Sequence, residues 1–313
     1  MIKKYDIFIL KIGSINNYSF YLSLARVFFS LLILKQIFEI WNFIPLLYEN
    51  KSFLVSSSDY IVEFIPIKTL LLKENIYLFF GIYIFVVIIN IFGIGKYVTA
   101  FFLFVMFDIT QKLCFQILNG GDNILRFVLM YMIFADSYNY FVLNKLQKNS
   151  TDQIFYRNVL SNLIGFIICI HLCLVYFITG LHKIHSDVWF HGVATYYTLQ
   201  MERFRGTTIN SLLANNIYFV TFSTYFTVFV EMFYPSLVWF KQTKKLIVIC
   251  MIMLHLGIYI FMMIHDFQII FIFLQGFFFS NRQWITLFNK LIIKLKFVLI
   301  YFKIQNNIQL LSC

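Results

Sequence analysis

The sequence has little charge, little proline and little glycine for its length. Of its 313 residues only 12% are charged, and it contains three Pro and 12 Gly. A soluble domain carries about 25% charged residues, so this chain has too few to cover a water-exposed surface. The shortage of Pro and Gly excludes collagen-like chains, Pro-rich segments and Gly-rich linkers.

Cysteine is also scarce, and its spacing excludes the common cysteine frameworks. The five cysteines contain no C-x-x-C pair and lie in or beside apolar runs: Cys114, Cys169, Cys173, Cys250 and Cys313. We interpret them as small apolar packing residues rather than disulfide or zinc ligands. The sequence therefore predicts no metal site.

What the chain does have is apolar and aromatic side chains. Hydrophobic residues make up 61% of it, and 41 Phe and 20 Tyr bring the aromatic share to 21%. A soluble globule of this size could not hide that much apolar surface, so we predict an integral protein of the cell membrane. The net charge of +11 would suggest nucleic acid in a soluble protein, but in a membrane protein it is typical of the positive-inside rule. We therefore expect the lipid bilayer, and no nucleic acid, as a partner.

Eight segments are long and apolar enough to be predicted as membrane spans: 18–41, 75–94, 97–118, 122–143, 158–180, 212–240, 246–264 and 267–279. With the N-terminus in the cytoplasm, 15 Lys and Arg residues and three acidic residues fall inside, whereas six cations and eight acids fall outside. This separation follows the positive-inside rule, and it places both termini in the cytoplasm.

The predicted fold class is therefore an all-α, polytopic membrane bundle of about eight helices over residues 1–280. Residues 281–313 form a cytoplasmic amphipathic tail, in which residues 281–304 mix apolar residues with spaced Lys and predict a cationic helix on the membrane surface. Residues 48–74 are expected to form a long external loop. We expect no cleaved signal peptide, and the first span to direct insertion.

Several charged residues lie within the predicted spans, where an unpaired charge is costly. Three opposite pairs have the i,i+4 spacing that places both members on one helix face, and they predict structural ion pairs: Lys35 with Glu39, Asp108 with Lys112, and Asp122 with Arg126. Arg26 and Glu231 have no such neighbour. Each of these two must find a partner or a cavity across the bundle, which makes them functional candidates.

All six histidines lie in the second half of the chain: His171, His182, His185, His191, His255 and His265. His171 and His255 lie deep in spans five and seven, where a bis-His haem is one alternative. A zinc site at His182 and His185 is another, although no Asp, Glu or Cys ligand is placed to complete it.

The densest polar segment, residues 180–206, follows the fifth span on the external side. Lys183 lies there among the apolar side chains of Ile184, Trp189 and Phe190. Removing an amine from water favours its neutral form, which can act as a base. The alternative is an interfacial lysine that extends its ammonium group to the membrane surface.

This segment resembles the signature G-(L/V)-x-K-(L/I)…W-x-x-G-(T/V)-A of the horizontally transferred transmembrane (HTTM) family, which includes vitamin K-dependent gamma-glutamyl carboxylase. The matching residues are Gly180, Lys183, Trp189, Gly192 and Ala194. Further matches follow in family order over about residues 18–280: Ser23-Leu24-Ala25-Arg26, Asn119-Gly120-Gly121-Asp122, Leu125-Arg126, Glu231 with Pro235, and His255.

The resemblance implies that Lys183 is the base that deprotonates a hydroquinone at the outer face of the membrane. Glu231 and His255, which also match the family, are further catalytic candidates. His182 and His185 are candidates by position, because they offer possible proton acceptors near Lys183. Trp189, His191 and Arg26 are the candidates for binding a cofactor, for which a membrane quinone or hydroquinone is the expected class.

Two departures separate this sequence from the carboxylase. His182 stands where the carboxylase has Lys, and we expect no large soluble domain after the last span. In size the chain is closer to the sporulation-delaying protein B-like members of the family. The sequence therefore predicts either a membrane enzyme acting on a secreted peptide or lipid-borne substrate, or a non-catalytic factor. The second would serve maturation, export or immunity of a secreted toxin peptide, together with an accessory maturation protein.

Overall fold

The computed structural model describes residue 10 and residues 12–48, 75–114, 118–143 and 151–294. Within these ranges the secondary structure is helical, without a β-strand, and the all-α prediction is confirmed. The predicted external loop lies almost wholly outside the described residues, as does the last part of the predicted surface helix. Residues 281–294 of that helix are described and are helical.

Twelve α-helices lie wholly within the described ranges, in addition to the helical residues 12–14 and 281–294. They are α1 Ser19–Glu39, α2 Ile44–Tyr48, α3 Ile76–Ile91, α4 Tyr97–Leu113, α5 Gly120–Met132, α6 Thr151–Ile184, α7 Asp187–Phe190, α8 Ala194–Gln200, α9 Ile209–Ala214, α10 Ile217–Leu237, α11 Lys244–Phe261 and α12 His265–Leu274. Short 3-10 helices cover Trp41–Phe43, Glu202–Phe204 and Gln275–Phe278.

Four of these helices are long and apolar enough to cross a membrane: α1, α6, α10 and α11. They coincide with the first, fifth, sixth and seventh predicted spans. Helix α3 and the stretch from α12 through Phe278 are apolar but shorter. The apolar character of the chain is thus realised as several apolar helices, as expected of a membrane protein.

The fourth predicted span was wrong in its extent. Helix α5 ends at Met132, and residues 135–143 are not helical, although the prediction ran to residue 143. The carbonyl groups of Ser137, Tyr140 and Phe141 accept hydrogen bonds from the Arg26 side chain. A guanidinium group therefore replaces the helical N–H donors that these carbonyls would otherwise need inside the bundle.

Helix α6 is the longest element, with 34 residues, and it extends beyond the fifth predicted span at both ends. It packs along α10, and Gly180 permits this approach, since a Cβ atom there would lie 2.8 Å from the Sδ atom of Met232. On the side away from the bundle, α6 exposes Leu174, Phe177 and Ile178. A bilayer would cover such side chains at little cost.

Contacts between distant segments sort the helix ends into two groups. At one end, Lys35 Nζ lies 2.6 Å from Asp266 Oδ1, and the Gly206 N–H donates to the Phe261 carbonyl at 3.2 Å. At the other end, the Asn17 N–H donates to Asn162 Oδ1 at 2.8 Å. There too the Phe20 N–H donates to Asn281 Oδ1 at 2.8 Å, and Arg157 pairs with Asp136 at 2.9 Å.

Two of the three predicted ion pairs are confirmed, and the third is corrected. Lys35 pairs with Glu39 at 3.0 Å, and Lys112 with Asp108 at 3.0 Å. Arg126, however, lies 3.5 Å from Asp108 and not beside Asp122.

Asp122 caps the start of helix α5 instead of forming the predicted ion pair with Arg126. Its Oδ2 accepts from the Asn119 N–H at 3.1 Å, while Asn119 Oδ1 accepts from the Gly121 and Asp122 N–H groups. This reciprocal arrangement is a capping box, which satisfies the free donors at the start of α5. The Gln36 side chain donates to Asp122 as well, at 3.3 Å.

A double-mutant cycle distinguishes the observed pair from the predicted one. We expect Arg126→Ala and Asp108→Asn to couple by about 0.5 kcal/mol, the usual size for a partly exposed ion pair. Arg126→Ala and Asp122→Asn should be additive within about 0.3 kcal/mol. Unfolding titrations in mixed micelles measure both terms, and the reverse order of couplings would contradict the observed pairing.

Candidate functional site

Lys183 and Glu231 form an ion pair between the last turn of α6 and the middle of α10. Lys183 Nζ lies 2.6 Å from Glu231 Oε2 and 2.8 Å from Oε1. The Thr179 hydroxyl, one turn before Lys183, donates to the same carboxylate at 3.1 Å. Glu231 was predicted to need a partner or a cavity across the bundle, and the structure gives it Lys183 as a partner.

The ammonium group of Lys183 also lies at the edge of an open pocket of about 450 Å³. The lining residues are Lys183, Ile184, Trp189, Phe190, His191, Tyr225 and Val228. Lys183 Nζ lies 5.1 Å from the centroid of the Trp189 ring, within the range of a cation–π contact. With 20% of its side chain exposed against 10% for Glu231, Lys183 is the member of the pair that a bound molecule can reach.

Gly192 packs against Tyr225, one of the residues that line this pocket. Its φ of +73° lies in the left-handed region that favours glycine. A Cβ atom there would come within 2.9 Å of the Tyr225 ring. The Tyr225 hydroxyl donates to the Phe190 carbonyl at 2.8 Å, so the turn after α7 and helix α10 are joined at the pocket. The W-x-x-G spacing noted in the sequence therefore positions Trp189 and Tyr225 on the same cavity.

The three histidines near Lys183 are placed differently from one another. His191 lines the pocket, together with Trp189, as the resemblance implied for a cofactor site. His182 and His185 are exposed and are not among the residues that line it. His185 Nδ1 is 2.8 Å from the Leu181 carbonyl oxygen, which is consistent with a bond to its own helix.

His255 belongs to a buried hydrogen-bond network deeper in the bundle. Its Nε2 is 2.8 Å from the Tyr176 hydroxyl, and its Nδ1 is 2.5 Å from Gln268 Oε1. Gln275 donates from Nε2 to Tyr176 at 2.8 Å and accepts at Oε1 from the Tyr234 hydroxyl. Tyr176, His255, Gln268, Gln275 and Tyr234 are all buried, and we refer to them as the inner network.

The contacts of the inner network fit one simple arrangement. The Tyr176 hydroxyl, which accepts from Gln275, donates to His255 Nε2, and His255 Nδ1–H donates to Gln268 Oε1. Both ring nitrogens of His255 then contact protein groups, an arrangement that does not favour the haem alternative.

The other haem candidate, His171, is half-buried and lies 3.2 Å through Nδ1 from the Tyr131 hydroxyl. Over the part of the chain that the structure describes, there is no group of three or more His, Cys, Asp or Glu that could hold a metal ion. His182 and His185 gain no third ligand there, which leaves the zinc alternative without support.

Arg26 does not line the Lys183 pocket. All five of its N–H groups donate to backbone carbonyls elsewhere in the bundle. Nε donates to Ser137 at 3.1 Å, Nη2 donates to Tyr140 at 3.2 Å and Phe141 at 2.7 Å, and Nη1 donates to Ile91 at 2.5 Å and to Asn90. The guanidinium group thus joins the end of α3 to the segment after α5. This arrangement favours a structural role over the expected cofactor role, because no donor is left for a ligand.

Sequence reasoning missed several polar residues of this region. Thr179 holds the Glu231 carboxylate, and Tyr225 forms a wall of the pocket. Gln268 and Gln275 are seven residues apart, which is nearly two helical turns, so both face the inner network. A pair of glutamines on one face of an otherwise apolar segment is the signal that could have identified them.

Comparison of the chain with family models, with curated proteins and with solved structures finds no match in any of the three.

Proposed function

We propose that this chain is an HTTM-type protein of the cell membrane, with eight crossings and both termini in the cytoplasm. Contacts between helix ends support this topology. Lys35, Asp266, Gly206 and Phe261 belong to the group of ends assigned to the outer side. Asn17, Asn162, Asn281, Asp136 and Arg157 belong to the group assigned to the cytoplasmic side. Each observed contact joins two ends of the same group.

The pocket at the outer end of α6, beside the middle of α10, is the proposed site of chemistry, with Lys183 as the base. The observation that carries this proposal is the Lys183–Glu231 contact of 2.6 Å at the edge of an open pocket. Moving one proton across this contact converts ammonium and carboxylate into a neutral amine and a carboxylic acid. The amine can then accept a proton from a substrate in the pocket, while Glu231 stores the first proton.

The aromatic lining indicates the kind of molecule that fits. Trp189, Phe190, His191 and Tyr225 line the pocket, and Lys183 Nζ lies 5.1 Å from the centroid of the Trp189 ring. An aromatic lining of this kind suits a flat ring such as that of a membrane hydroquinone. Its hydroxyl group would supply the proton that Lys183 accepts. The product would act on a secreted peptide or a lipid-borne substrate at the outer face.

A second candidate function is a non-catalytic factor for maturation, export or immunity of a secreted toxin peptide. It is favoured by the closed geometry of the ion pair, in which both oxygens of Glu231 contact Lys183. A bridge of this kind holds two helices in register whether or not a proton moves. On this alternative the pocket would bind a peptide side chain.

A hydroquinone assay tests the catalytic proposal. The purified protein in lipid nanodiscs is given a reduced naphthoquinone, and oxygen consumption is followed, because the deprotonated ring reacts faster with oxygen. We expect Lys183→Arg to lower the rate at least about a hundredfold, since a guanidinium cannot act as a base near neutral pH. Lys112→Arg is the matched control, because Lys112 is also paired with a carboxylate but lies on another helix.

Two outcomes would exclude Lys183 as the base. One is full activity in Lys183→Arg, which would make Lys183 an anchor of the ion pair. The other is a charge-exchanged variant, Lys183→Glu with Glu231→Lys, that retains the activity of the parent protein, since it keeps the bridge but moves the base. The non-catalytic function is favoured if the parent protein consumes no oxygen with the hydroquinone, and if the parent protein and the charge-exchanged variant both capture the same small secreted peptide.

A further inference from the structure

A second open groove lies at the opposite end of the bundle from Lys183. It has a volume of about 680 Å³ and lies between the start of α1, helix α6, the first residue of α11 and the residues around Gln275–Phe278. The residues that line it are Ile12, Asn17, Tyr18, Asn162, Leu163, Phe166, Lys244, Phe277, Phe278, Phe279, Ser280 and Gln283. Nothing in the proposed chemistry at Lys183 uses this groove.

One wall of the groove is apolar and continues onto the outer surface of α6. Leu163 and Phe166 are 46% and 45% exposed, three residues apart on the same helix face. Beside them Trp239 lies 5.6 Å from Phe166 and 5.5 Å from Phe278, measured between ring centroids. Tryptophan is enriched where a protein meets the edge of the bilayer, so this wall lies where acyl chains begin.

The rim of the groove carries hydrogen-bond donors. Lys244 is half-buried, and its ammonium group donates one hydrogen bond, to the Phe278 carbonyl at 3.1 Å. Two further N–H groups of that ammonium have no acceptor among the described residues. Asn162, in contrast, is fully engaged, because it donates to the Ile12 and Ile15 carbonyls and accepts from the Asn17 N–H.

The charge at this end of the bundle is positive. Exposed cations lie within three residues of the groove lining at Lys241, Lys245 and Arg282, and Lys290 and Lys294 follow Arg282 on one helical segment. Of the acidic residues described at this end, Asp136 is paired with Arg157, and Asp152 lies in the first turn of α6, ten residues before Asn162. An anion beside Lys244 would therefore gain from the attraction of several cations.

We propose that this groove binds one anionic phospholipid, with its phosphate at Lys244 and an acyl chain along Leu163 and Phe166. The apolar wall accepts the chain, the free ammonium hydrogens bind the phosphate, and the surrounding cations select a negatively charged headgroup. In the proposed topology, this lipid belongs to the cytoplasmic leaflet. The inference does not depend on the chemistry at Lys183.

Quenching of tryptophan fluorescence tests the proposal at the groove itself. The protein is placed in phosphatidylcholine nanodiscs that contain increasing fractions of brominated phosphatidylglycerol or brominated phosphatidylcholine. The difference between the parent protein and Trp239→Phe isolates the signal of Trp239. We expect the phosphatidylglycerol to quench at lower mole fractions than the phosphatidylcholine, by about fivefold for each cation that contacts the phosphate.

Lys244→Gln should shift the phosphatidylglycerol curve by about fivefold toward that of phosphatidylcholine, and Lys244→Arg should leave it in place. Lys245→Gln is the matched control, because it removes the same charge from the adjacent, exposed residue outside the groove lining. Equal quenching by the two lipids in the parent protein would overturn the proposal. An equal shift in Lys245→Gln and Lys244→Gln would do the same, because it would indicate a diffuse surface charge. If Lys244→Gln does not fold, the parent protein still decides the first outcome. Lys245→Gln decides the second, because it should leave the phosphatidylglycerol curve in place and would shift it by about fivefold only if the charge acts diffusely.

Discussion

Arg26→Met is expected to destabilise the protein by about 4 kcal/mol, because it removes a donor from five backbone carbonyls at once, those of Asn90 and Ser137 being buried. Arg26 is 2% exposed, and its five N–H groups each donate to a backbone carbonyl. Methionine fills a similar volume but supplies no donor in return. Each buried acceptor left without a donor costs about 1–3 kcal/mol, although the Asn90 carbonyl still accepts from the Gly93 N–H at 3.0 Å.

The measurement is the midpoint of unfolding in mixed micelles of a mild detergent and dodecyl sulfate. Arg26→Lys should recover part of the loss, because an ammonium has three donors but lacks the planar fork. Arg126→Met is the matched control and should cost about 1 kcal/mol or less, since Arg126 is 32% exposed and contacts a single carboxylate. Similar losses in Arg26→Met and Arg126→Met would contradict the structural role assigned to Arg26.

His255→Ala should be similarly damaging, with a loss of about 4 kcal/mol. It leaves a cavity beside Phe271, whose ring centroid lies 5.3 Å from the imidazole. It also removes the acceptor of the Tyr176 hydroxyl and the donor to Gln268, and both groups are buried. The inner network then contains two unsatisfied groups in a region that excludes water.

His171→Ala provides the comparison, because His171 has one hydrogen-bond partner at 3.2 Å and is half-buried. We expect it to cost about 1 kcal/mol. His255→Gln keeps a donor and an acceptor and should fall between the two alanine variants. Thermal unfolding in detergent, followed by circular dichroism, ranks the three. Equal losses in His171→Ala and His255→Ala would show that the inner network contributes little.

Some of this architecture could be predicted from sequence, because the free-energy cost of burying a charged side chain depends on that residue and its position in a span. A carboxylate such as Glu231 cannot remain alone in an apolar span, so its need for a partner follows from its position. Which residue meets that need depends on how helices cross. The crossing of α6 and α10 at Gly180 brings Lys183 to Glu231, and no local spacing encodes it.

The incorrect predictions share one physical cause, which is competition from the backbone. Asp122 and Arg126 have the spacing of a helical ion pair, but Asn119 and Asp122 also have the spacing of a capping box, and free N–H groups at a helix start are strong donors. Likewise, residues 133–143 have the apolar content of a span. The carbonyls after Met132 nevertheless bond to Arg26, so hydropathy alone overestimated the length of α5.

The length of α6 has a mechanical consequence for both proposed sites. A continuous helix of 34 residues measures about 51 Å, whereas the hydrocarbon core of a bilayer is about 30 Å thick. Such a rod fits a thinner bilayer by tilting, and it transmits that tilt along its whole length. Phe166 at one site and Lys183 at the other sit on this one rod, so a change of bilayer thickness moves both together. We therefore expect the position of Lys183 relative to its neighbours to depend on the thickness of the surrounding membrane.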